Sequence, residues 1–340
     1  MSADSSTVER TPSRWAKLGV ISQQYGIVVA FFVLCGFLSV LNNNFYSIGN
    51  LVNILKQTSI NGILASGMTL VVLTRGIDLS VGSVAAYAGL VSASLAHGLG
   101  PQPAWIAVCA GLMVGLGCGL ANGLLVARLA VPPFVATLGM LSVARGLTFI
   151  YSDGQPIADL SKQFSYLGEG ILVQFPVQWF DGQELFRLPL PILIFLLVLV
   201  VLWFVLNKTT FGRYIYAVGG NERSAKTAGI GTKKIIVAAY VLCGVLAALG
   251  GIILTGRTGS GLPQAAQSYE LDAIAAVVIG GTSLSGGVGT ISGTLFGALI
   301  IGVINNGLDL LGVSSYYQQV VKGCIIVGAV LLDTARHSRE

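Results

Sequence analysis

The chain has 340 residues, of which 54% are hydrophobic and only 10% are charged, with 19 basic and 14 acidic side chains. A soluble domain has about 25% charged residues, and the mean hydropathy here is +0.80. These values exclude a water-soluble protein and a disordered chain, and they predict an integral membrane protein. The net charge is only +5, which gives no support for a nucleic-acid partner.

Ten apolar runs of helix length follow one another along the chain. A helix needs about 20 apolar residues to cross the hydrocarbon core of a bilayer. The predicted fold is all-α, with one transmembrane domain over residues 22–333 between an N-terminal tail at 1–21 and a C-terminal tail at 334–340. The ten predicted spans are 22–41, 57–74, 79–96, 104–127, 133–151, 189–207, 234–255, 270–282, 288–311 and 318–333.

A polar turn separates the second and third spans. Residues Gly76–Gly82 have the sequence Gly-Ile-Asp-Leu-Ser-Val-Gly and follow Arg75 directly. Two roles are open for Asp78 in this turn. It caps the N-terminus of the third span, as aspartate does in many helices, or it pairs with a basic residue and closes the inner mouth of a path.

Glycines recur at four-residue spacing in the fourth and ninth spans. Small residues at this spacing form a groove that lets two membrane helices approach closely. The pattern therefore predicts tight helix packing at Gly111, Gly115 and Gly119, and again at Gly293 and Gly297, which Gly302 follows.

Three further charged residues lie in or near the spans. Arg145 in the fifth span is expected to face the interior of the helix bundle, although the sequence names no partner for it. Asp309 and Lys322 lie near the predicted outer ends of the last two spans, where we expect them to reach the membrane interface. The loop at about 152–188 contains five acidic residues and is predicted to lie outside.

Basic residues are distributed unevenly between the two sides of the membrane. If the N-terminus is cytoplasmic, 13 of the 19 basic residues fall in cytoplasmic segments and only four fall outside. Lysine and arginine favour the cytoplasmic side, and ten spans return the chain to the side on which it starts. The sequence therefore predicts a multi-pass protein with both termini in the cytoplasm.

The longest predicted cytoplasmic loop, at about 208–233, contains signals for a short helix. Asn221 is a good N-cap, Glu222 lies in the first turn where the helix dipole favours it, and Gly229 is a good C-terminal stop. Such a helix could be a docking surface for a partner, or the segment could be a solvated loop that only orients the protein.

The turn at residues 76–82 has a counterpart in the C-terminal half. Residues Gly281–Gly287 have the sequence Gly-Thr-Ser-Leu-Ser-Gly-Gly, which shares the pattern Gly-x-x-Leu-Ser-x-Gly at an offset of 205 residues. Many transporters contain internal repeats with interrupted helices near the substrate path. The match indicates either such a duplication or a chance similarity in a glycine-rich chain.

Four segments resemble the membrane subunits of bacterial ATP-binding-cassette importers for monosaccharides. They are Gly76–Ser83, Gly212–Glu222, Tyr269–Ser283 and Asn305–Gln318. The resemblance extends from about Asn44 to Asp333 and is weakest in the first twenty residues and in the predicted outer loop.

This resemblance implies a fold like that of the vitamin B12 type (type II) of importer, with ten helices per subunit. It also implies a bacterial inner-membrane location and several partners: a second copy of the permease, a periplasmic sugar-binding protein and a cytoplasmic ATPase. The ATPase would bind ATP and Mg²⁺, and this chain would hold no cofactor or metal. The expected cargo is a monosaccharide, ribose or a related sugar such as xylose, arabinose, galactose, allose or inositol.

The resemblance assigns a role to one group of residues, and side-chain chemistry suggests a role for another. The segment Gly219–Gly231 corresponds to the family's coupling helix, although Arg223 and Ser224 stand where members often have two alanines. The residues expected to couple to the ATPase are Gly219, Gly220, Asn221, Glu222, Ala225 and Gly229. Short hydroxyl and amide side chains suit a sugar path, so its candidates are Ser80, Ser283, Ser285, Asn305 and Asn306, with ordinary helix packing as the alternative for each. Asp78 is a further candidate for the path or its gate.

Two other classes of protein fit the residues less well. An ion-driven sugar carrier usually needs a relay of buried carboxylates or histidines, and the chain has two histidines, His97 in a predicted outer loop and His337 in the tail. A membrane enzyme should show a cluster of catalytic residues, but the sequence contains no P-loop, zinc spacing or nucleophile motif.

Overall fold

The structure, a computed structural model, describes residues 14–98, 100–179 and 182–337. Helices α1 to α5 are followed by the short helix α6, a hairpin of strands β1 and β2, and helices α7 to α13. Their bounds are α1 Arg14–Leu41, α2 Ile48–Leu73, α3 Val81–Ala96, α4 Ala104–Ala127, α5 Pro133–Ser152, α6 Lys162–Glu169, β1 Ile171–Trp179, β2 Gly182–Pro189, α7 Leu190–Lys208, α8 Thr210–Gly220, α9 Glu222–Thr227, α10 Thr232–Thr258, α11 Tyr269–Ile279, α12 Ile291–Leu310 and α13 Ser315–His337.

Each of the ten predicted spans coincides with one helix, namely α1, α2, α3, α4, α5, α7, α10, α11, α12 and α13. The main difference is the start of α2, because Ser47 caps this helix by accepting a hydrogen bond from Asn50. The helix therefore begins at Ile48 and not at 57. Helix α1 likewise begins at Arg14, inside the predicted tail. By length and composition alone, five of the described helices are able to cross a bilayer: α4, α5, α7, α10 and α12.

Helix α10 lies at the centre of the bundle and packs against α2, α3 and α4. Its contact with α4 is close because both helices present glycine there. A methyl group at Gly115 would collide with the main-chain carbonyl of Gly244, and one at Gly119 would collide with that of Tyr240. Gly293 and Gly297 similarly allow α12 to approach α11. The predicted glycine grooves are therefore present in the structure.

The predicted outer loop is more ordered than its composition suggested. It contains α6 and the antiparallel hairpin β1–β2, in which Phe175 pairs with Phe186. The hairpin is fastened to the start of α2, since the carboxylate of Glu184 accepts a hydrogen bond from the Ile48 N–H at 2.9 Å. The indole of Trp179 also donates to the Tyr46 carbonyl at 2.8 Å. The all-α bundle thus has a small β element at one end.

The connections between helices gather at two opposite ends of the bundle. At the predicted outer end, Asn42 after α1 donates to the carbonyl of Leu310 at the end of α12, and the N–H of Ser161 before α6 bonds to Ala96 at the end of α3. At the other end, the N–H of Gly287 bonds to the carbonyl of Leu73. This separation agrees with the alternation of loops that the span count predicts.

Candidate functional site

The predicted cytoplasmic loop is helical over most of its length. Thr209 caps α8 by accepting a hydrogen bond from the Gly212 N–H. Asn221 caps α9, since its side-chain oxygen accepts from the Ser224 N–H at 3.0 Å. Helix α9 ends at Thr227, and the chain reverses at Gly229, whose φ of +83° is the left-handed conformation that glycine adopts most easily. The short capped helix predicted from Asn221 is confirmed, whereas α8 was not expected.

Helix α9 presents an open surface at the inner end of the bundle. Ala225 is buried against the rest of the protein, while the side chains around it are exposed. An open depression of about 450 Å³ runs along the helix and is lined by Arg223, Ser224, Thr227 and Ala228. A short helix with one buried anchor and an exposed remainder is suited to receive a partner protein.

The end of α8 is hydrogen-bonded to the end of α2. The Arg75 guanidinium donates from Nε to the carbonyl of Gly219 at 2.6 Å and from Nη2 to the carbonyl of Gly220 at 2.5 Å. Arg75 itself has a left-handed φ of +64°, which turns its backbone out of α2. A planar guanidinium is suited to two parallel bonds of this kind. Arg75 therefore joins the segment before α9 to a helix of the bundle.

Gly219 is also in contact with the second half of the bundle. A methyl group on its α-carbon would collide with the Leu73 carbonyl and with the Gly287 N–H group, so only glycine fits between the two segments. Nearby, the Tyr216 hydroxyl donates to the Gly289 carbonyl at 2.8 Å. Burial raises the pKa of this hydroxyl, so it remains a donor over a wider range of pH. The end of α8 thus contacts both of the loops that contain the repeated motif.

Asp78 lies in the first of these loops and is fully buried. Its carboxylate accepts hydrogen bonds from the N–H of Ser80 at 2.9 Å and from the hydroxyl of Ser80 at 2.6 Å. Asn122 of α4 donates to Ser80 and, more weakly, to the carboxylate. The residue at the N-cap of α3 is Ser80, so Asp78 stabilises the turn that leads into α3. The expectation that Asp78 itself caps α3 is therefore wrong, and among the described residues no basic side chain forms a salt bridge with Asp78.

The second loop repeats the turn of the first. The N–H of Ser285 bonds to the hydroxyl of Ser283 at 3.1 Å, as the N–H of Ser80 bonds to Asp78, and the two pairs are related by the offset of 205 residues. Ser283 is buried and Ser285 is exposed. The two turns share this one bond, which is common at Asp and Ser residues in turns, and then differ, since α3 begins at Val81 whereas α12 begins only at Ile291.

The remaining two path candidates lie at the other end of the bundle. The amides of Asn306 in α12 and Asn50 in α2 exchange two hydrogen bonds, at 2.8 and 3.0 Å. Asn305 is buried beside Asp272 of α11. The structure therefore places Asp78 and the three serines near the inner end, and the two asparagines near the outer end.

Lys322 does not reach the interface as expected. Its ammonium group lies 2.9 Å from Oδ2 of Asp272, whose side chain is only 3% exposed. The prediction was wrong because the helix face of α13 that bears Lys322 packs on α11. Sequence reasoning missed Asp272, although two opposite charges in neighbouring apolar spans are a signal for such a pair. Asp309, by contrast, is exposed as expected and accepts a hydrogen bond from Gln318.

Arg145 binds the connection between α10 and α11. One of its guanidinium nitrogens donates to the carbonyls of Pro263 and Ala265, at 2.7 and 3.0 Å. Its hydrogen-bond partners in the described part of the chain are therefore main-chain oxygens, and the acidic side chain of Glu270 lies close enough to interact with its charge.

Comparisons with known proteins identify the family. The model described as the branched-chain amino acid transport system / permease component family matches residues 50–330. The chain is 47% identical to the ribose import permease protein of Escherichia coli (strain K12) over 91% of this chain and 93% of that protein. Its identity to the ribose import permease protein of Bacillus subtilis (strain 168) is also 47%, over 92% and 93% of the two chains.

More distant relatives transport other sugars. The fructose import permease protein of Rhizobium meliloti is 40% identical over 90% of this chain and 84% of that protein. No solved structure gives a significant match. The family match spans the chain from α2 to α13, with both repeated turns and the segment α8–α9. The chain therefore belongs to this family of permeases, and it is a multi-pass transport subunit of the membrane and not an enzyme.

Proposed function

We propose that this chain is the membrane subunit of an ATP-binding-cassette importer that moves ribose into the cytoplasm. The observation that carries the proposal is the exposed helix α9, whose neighbouring glycines are hydrogen-bonded to Arg75 at the end of α2. The names of its relatives support ribose as the cargo.

A cytoplasmic ATPase docks on α9 and its depression. ATP and Mg²⁺ bind to that partner, and this chain holds neither. The residues of this chain that form the coupling surface are Gly219, Gly220, Asn221, Glu222, Ala225 and Gly229. Movement of α9 passes through Arg75 to α2 and through Gly219 to the loop before α12. A rigid-body movement of the packed helices then opens the path alternately to the periplasm and to the cytoplasm.

The outer end faces the periplasm and receives sugar from a binding protein, and both termini lie in the cytoplasm. The excess of basic residues in the predicted cytoplasmic segments supports this orientation. The chain contributes one set of ten spans, and a second copy completes the path. At the inner end the path is bordered by Asp78, Ser80, Ser283 and Ser285, and at the outer end by Asn305 and Asn306.

The first test is uptake of labelled ribose by a strain that lacks this protein, with and without a plasmid copy. Each arm is repeated with an uncoupler and, separately, with ATP depleted. We expect uptake that requires the plasmid, persists with the uncoupler and stops without ATP. Uptake that is indifferent to the plasmid would exclude ribose as the cargo. Uptake that collapses with the uncoupler while ATP is maintained would instead identify an ion-coupled carrier.

A further inference from the structure

Four helices bring polar side chains together in the outer half of the bundle. Asn61 of α2, Asp272 of α11, Asn305 of α12 and Lys322 of α13 meet there and are called the polar cluster. Oδ2 of Asp272 accepts from Lys322 at 2.9 Å and from the Asn61 amide at 3.4 Å. Asn305 lies beside the same carboxyl group.

The faces of α2 and α12 that form the cluster are in direct contact. Thr58, one turn before Asn61, lies against Gly302, one turn before Asn305, where a methyl group would collide with the threonine hydroxyl. Glycine at this position allows α12 to approach α2 closely. The two amides are therefore held on facing helix surfaces and not on mobile loops.

Three acceptor atoms of the polar cluster have no hydrogen-bond partner among the described residues. They are Oδ1 of Asn61, Oδ1 of Asp272 and Oδ1 of Asn305. The three residues are 6%, 2% and 4% exposed. Most buried polar atoms in proteins are hydrogen-bonded, because an unpaired one loses its hydration without compensation. Three such oxygens on three helices indicate a place that a donor-bearing ligand occupies.

The net charge of the polar cluster indicates which kind of ligand could donate hydrogen bonds to it. Lys322 neutralises Asp272, so the group has no net charge and does not need a cation. Its free atoms are all acceptors, and a neutral molecule with several O–H groups can supply a donor to each of them. Lys322 occupies Oδ2 of the carboxylate and leaves Oδ1 for the ligand. The lysine side chain is 22% exposed, so the edge of the cluster at Lys322 faces the surface of the subunit, while the three free oxygens lie inside it.

We infer that the polar cluster is a binding subsite for the hydroxyl groups of the transported sugar in the outer half of the path. This assignment rests on the proposed function, since it takes the cargo to be a monosaccharide. Asn61 and Asn305 accept hydrogen bonds from sugar hydroxyls on two sides, and Asp272 accepts from a third. Asn61, Asp272 and Lys322 are new to the path, which already included Asn305.

Ribose binding to the purified full-length permease in lipid nanodiscs tests this inference. The readout is the midpoint of thermal unfolding as a function of ribose concentration, and the saturable part of the shift reports binding. The variants are Asn61→Ala and Asn305→Ala, so one remains informative if the other does not fold. The matched control is Thr294→Val, which removes a hydroxyl that is buried at the same pair of helices and bonded to Thr69 at 2.7 Å.

We expect a saturable shift for the wild type and for Thr294→Val, and about a fivefold higher half-saturating ribose concentration for each asparagine variant. Fivefold corresponds to about 1 kcal/mol, the net value of one hydrogen bond. The inference fails if the asparagine variants bind ribose as the wild type does, or if the wild type shows only the linear shift that excluded sugars produce. A saturable shift that follows sodium chloride and not potassium chloride or ribose would also overturn it, in favour of a cation site.

Uptake of ribose by cells that express the wild type separates this inference from the proposed function. ATP-driven uptake without saturable binding to the purified permease leaves the proposed function intact and removes the polar cluster from the path. Absence of uptake removes the proposed function itself, whatever the purified permease binds.

Discussion

Single residues at the inner end of the bundle connect parts of the chain that are far apart in sequence. Arg75 is the clearest case, since its two hydrogen bonds reach Gly219 and Gly220 from the end of α2. Lysine has one ammonium group and cannot reproduce the planar, two-pronged donation of arginine. Arg75 is exposed to solvent, but its two hydrogen bonds still require arginine at this position.

Replacing this arginine tests the proposed transmission from α9 to α2. We expect Arg75→Lys to lower ATP-dependent ribose uptake at least tenfold, because the charge remains while one of the two hydrogen bonds is lost. The measurement is initial uptake rate, normalised to the amount of permease in the membrane. Arg128→Lys is the control, since Arg128 is exposed at the end of α4 at the same end of the bundle. Equal rates for the two variants would contradict the role of Arg75.

Asp78 contributes to stability through the turn that it closes. We expect Asp78→Ala to lower the free energy of unfolding by about 1–3 kcal/mol, because the buried N–H and hydroxyl of Ser80 lose their acceptor. Asp78→Asn keeps an oxygen at this position and should lose less. Thermal unfolding of the purified permease measures both, and equal losses would show that the charge, and not the acceptor, stabilises the turn.

At the scale of elements, α9 depends on its cap. Substituting an N-cap asparagine by alanine costs about 1 kcal/mol, a large fraction of the stability of a helix of six residues. We expect Asn221→Ala to reduce the amount of ATPase that co-purifies with the permease, whereas Asn221→Asp, which keeps the cap, should retain it. Retention of the ATPase by the alanine variant would show that docking does not need a preformed α9.

The contact between α4 and α10 depends on the absence of side chains at its glycines. We expect Gly115→Ala to destabilise the permease by about 1–3 kcal/mol, because the new methyl group overlaps the Gly244 carbonyl and the Ala248 side chain. Gly117 lies on the same helix with open space around its α-carbon, so Gly117→Ala should be neutral or slightly stabilising. Midpoints of thermal unfolding that are equal for the two variants would contradict this packing.

Local signals made some of these elements predictable. Helix α9 could be predicted because its N-cap, Asn221, and its C-terminal stop, Gly229, lie close together in the sequence. The hairpin has a weaker local signal, since Asp181-Gly182 favours a turn, but Pro176 and the polar residues after Gly182 argue against two strands. The pairing of Asp272 with Lys322 could not be derived in this way. The pairing depends on which face of α13 packs on α11, and no residue in the sequence between the two helices specifies this face.

At the scale of the whole molecule, the ten spans could be counted because continuous apolar runs and biased charges are properties of the entire chain.

The orientation that follows has a direct test with an impermeant maleimide on intact cells, in a background without the five native cysteines. We expect a cysteine at Gln155, exposed near the outer end, to react in intact cells. A cysteine at Thr227, exposed on α9, should react only after permeabilisation. The reverse pattern would invert the proposed topology.

The partners of Arg75 are main-chain carbonyls, and this has a consequence for how such subunits diversify. A carbonyl is the same in every amino acid, so the exposed side chains of α9 can change without disturbing the link between α8 and α2. The side chains of α9 can then determine which ATPase binds, while the main-chain carbonyls bonded by Arg75 transmit the conformational change of that ATPase. If the α9 side chains of another permease are grafted onto this chain, the chimera should therefore bind the ATPase of that other permease and still transport the substrate of this one.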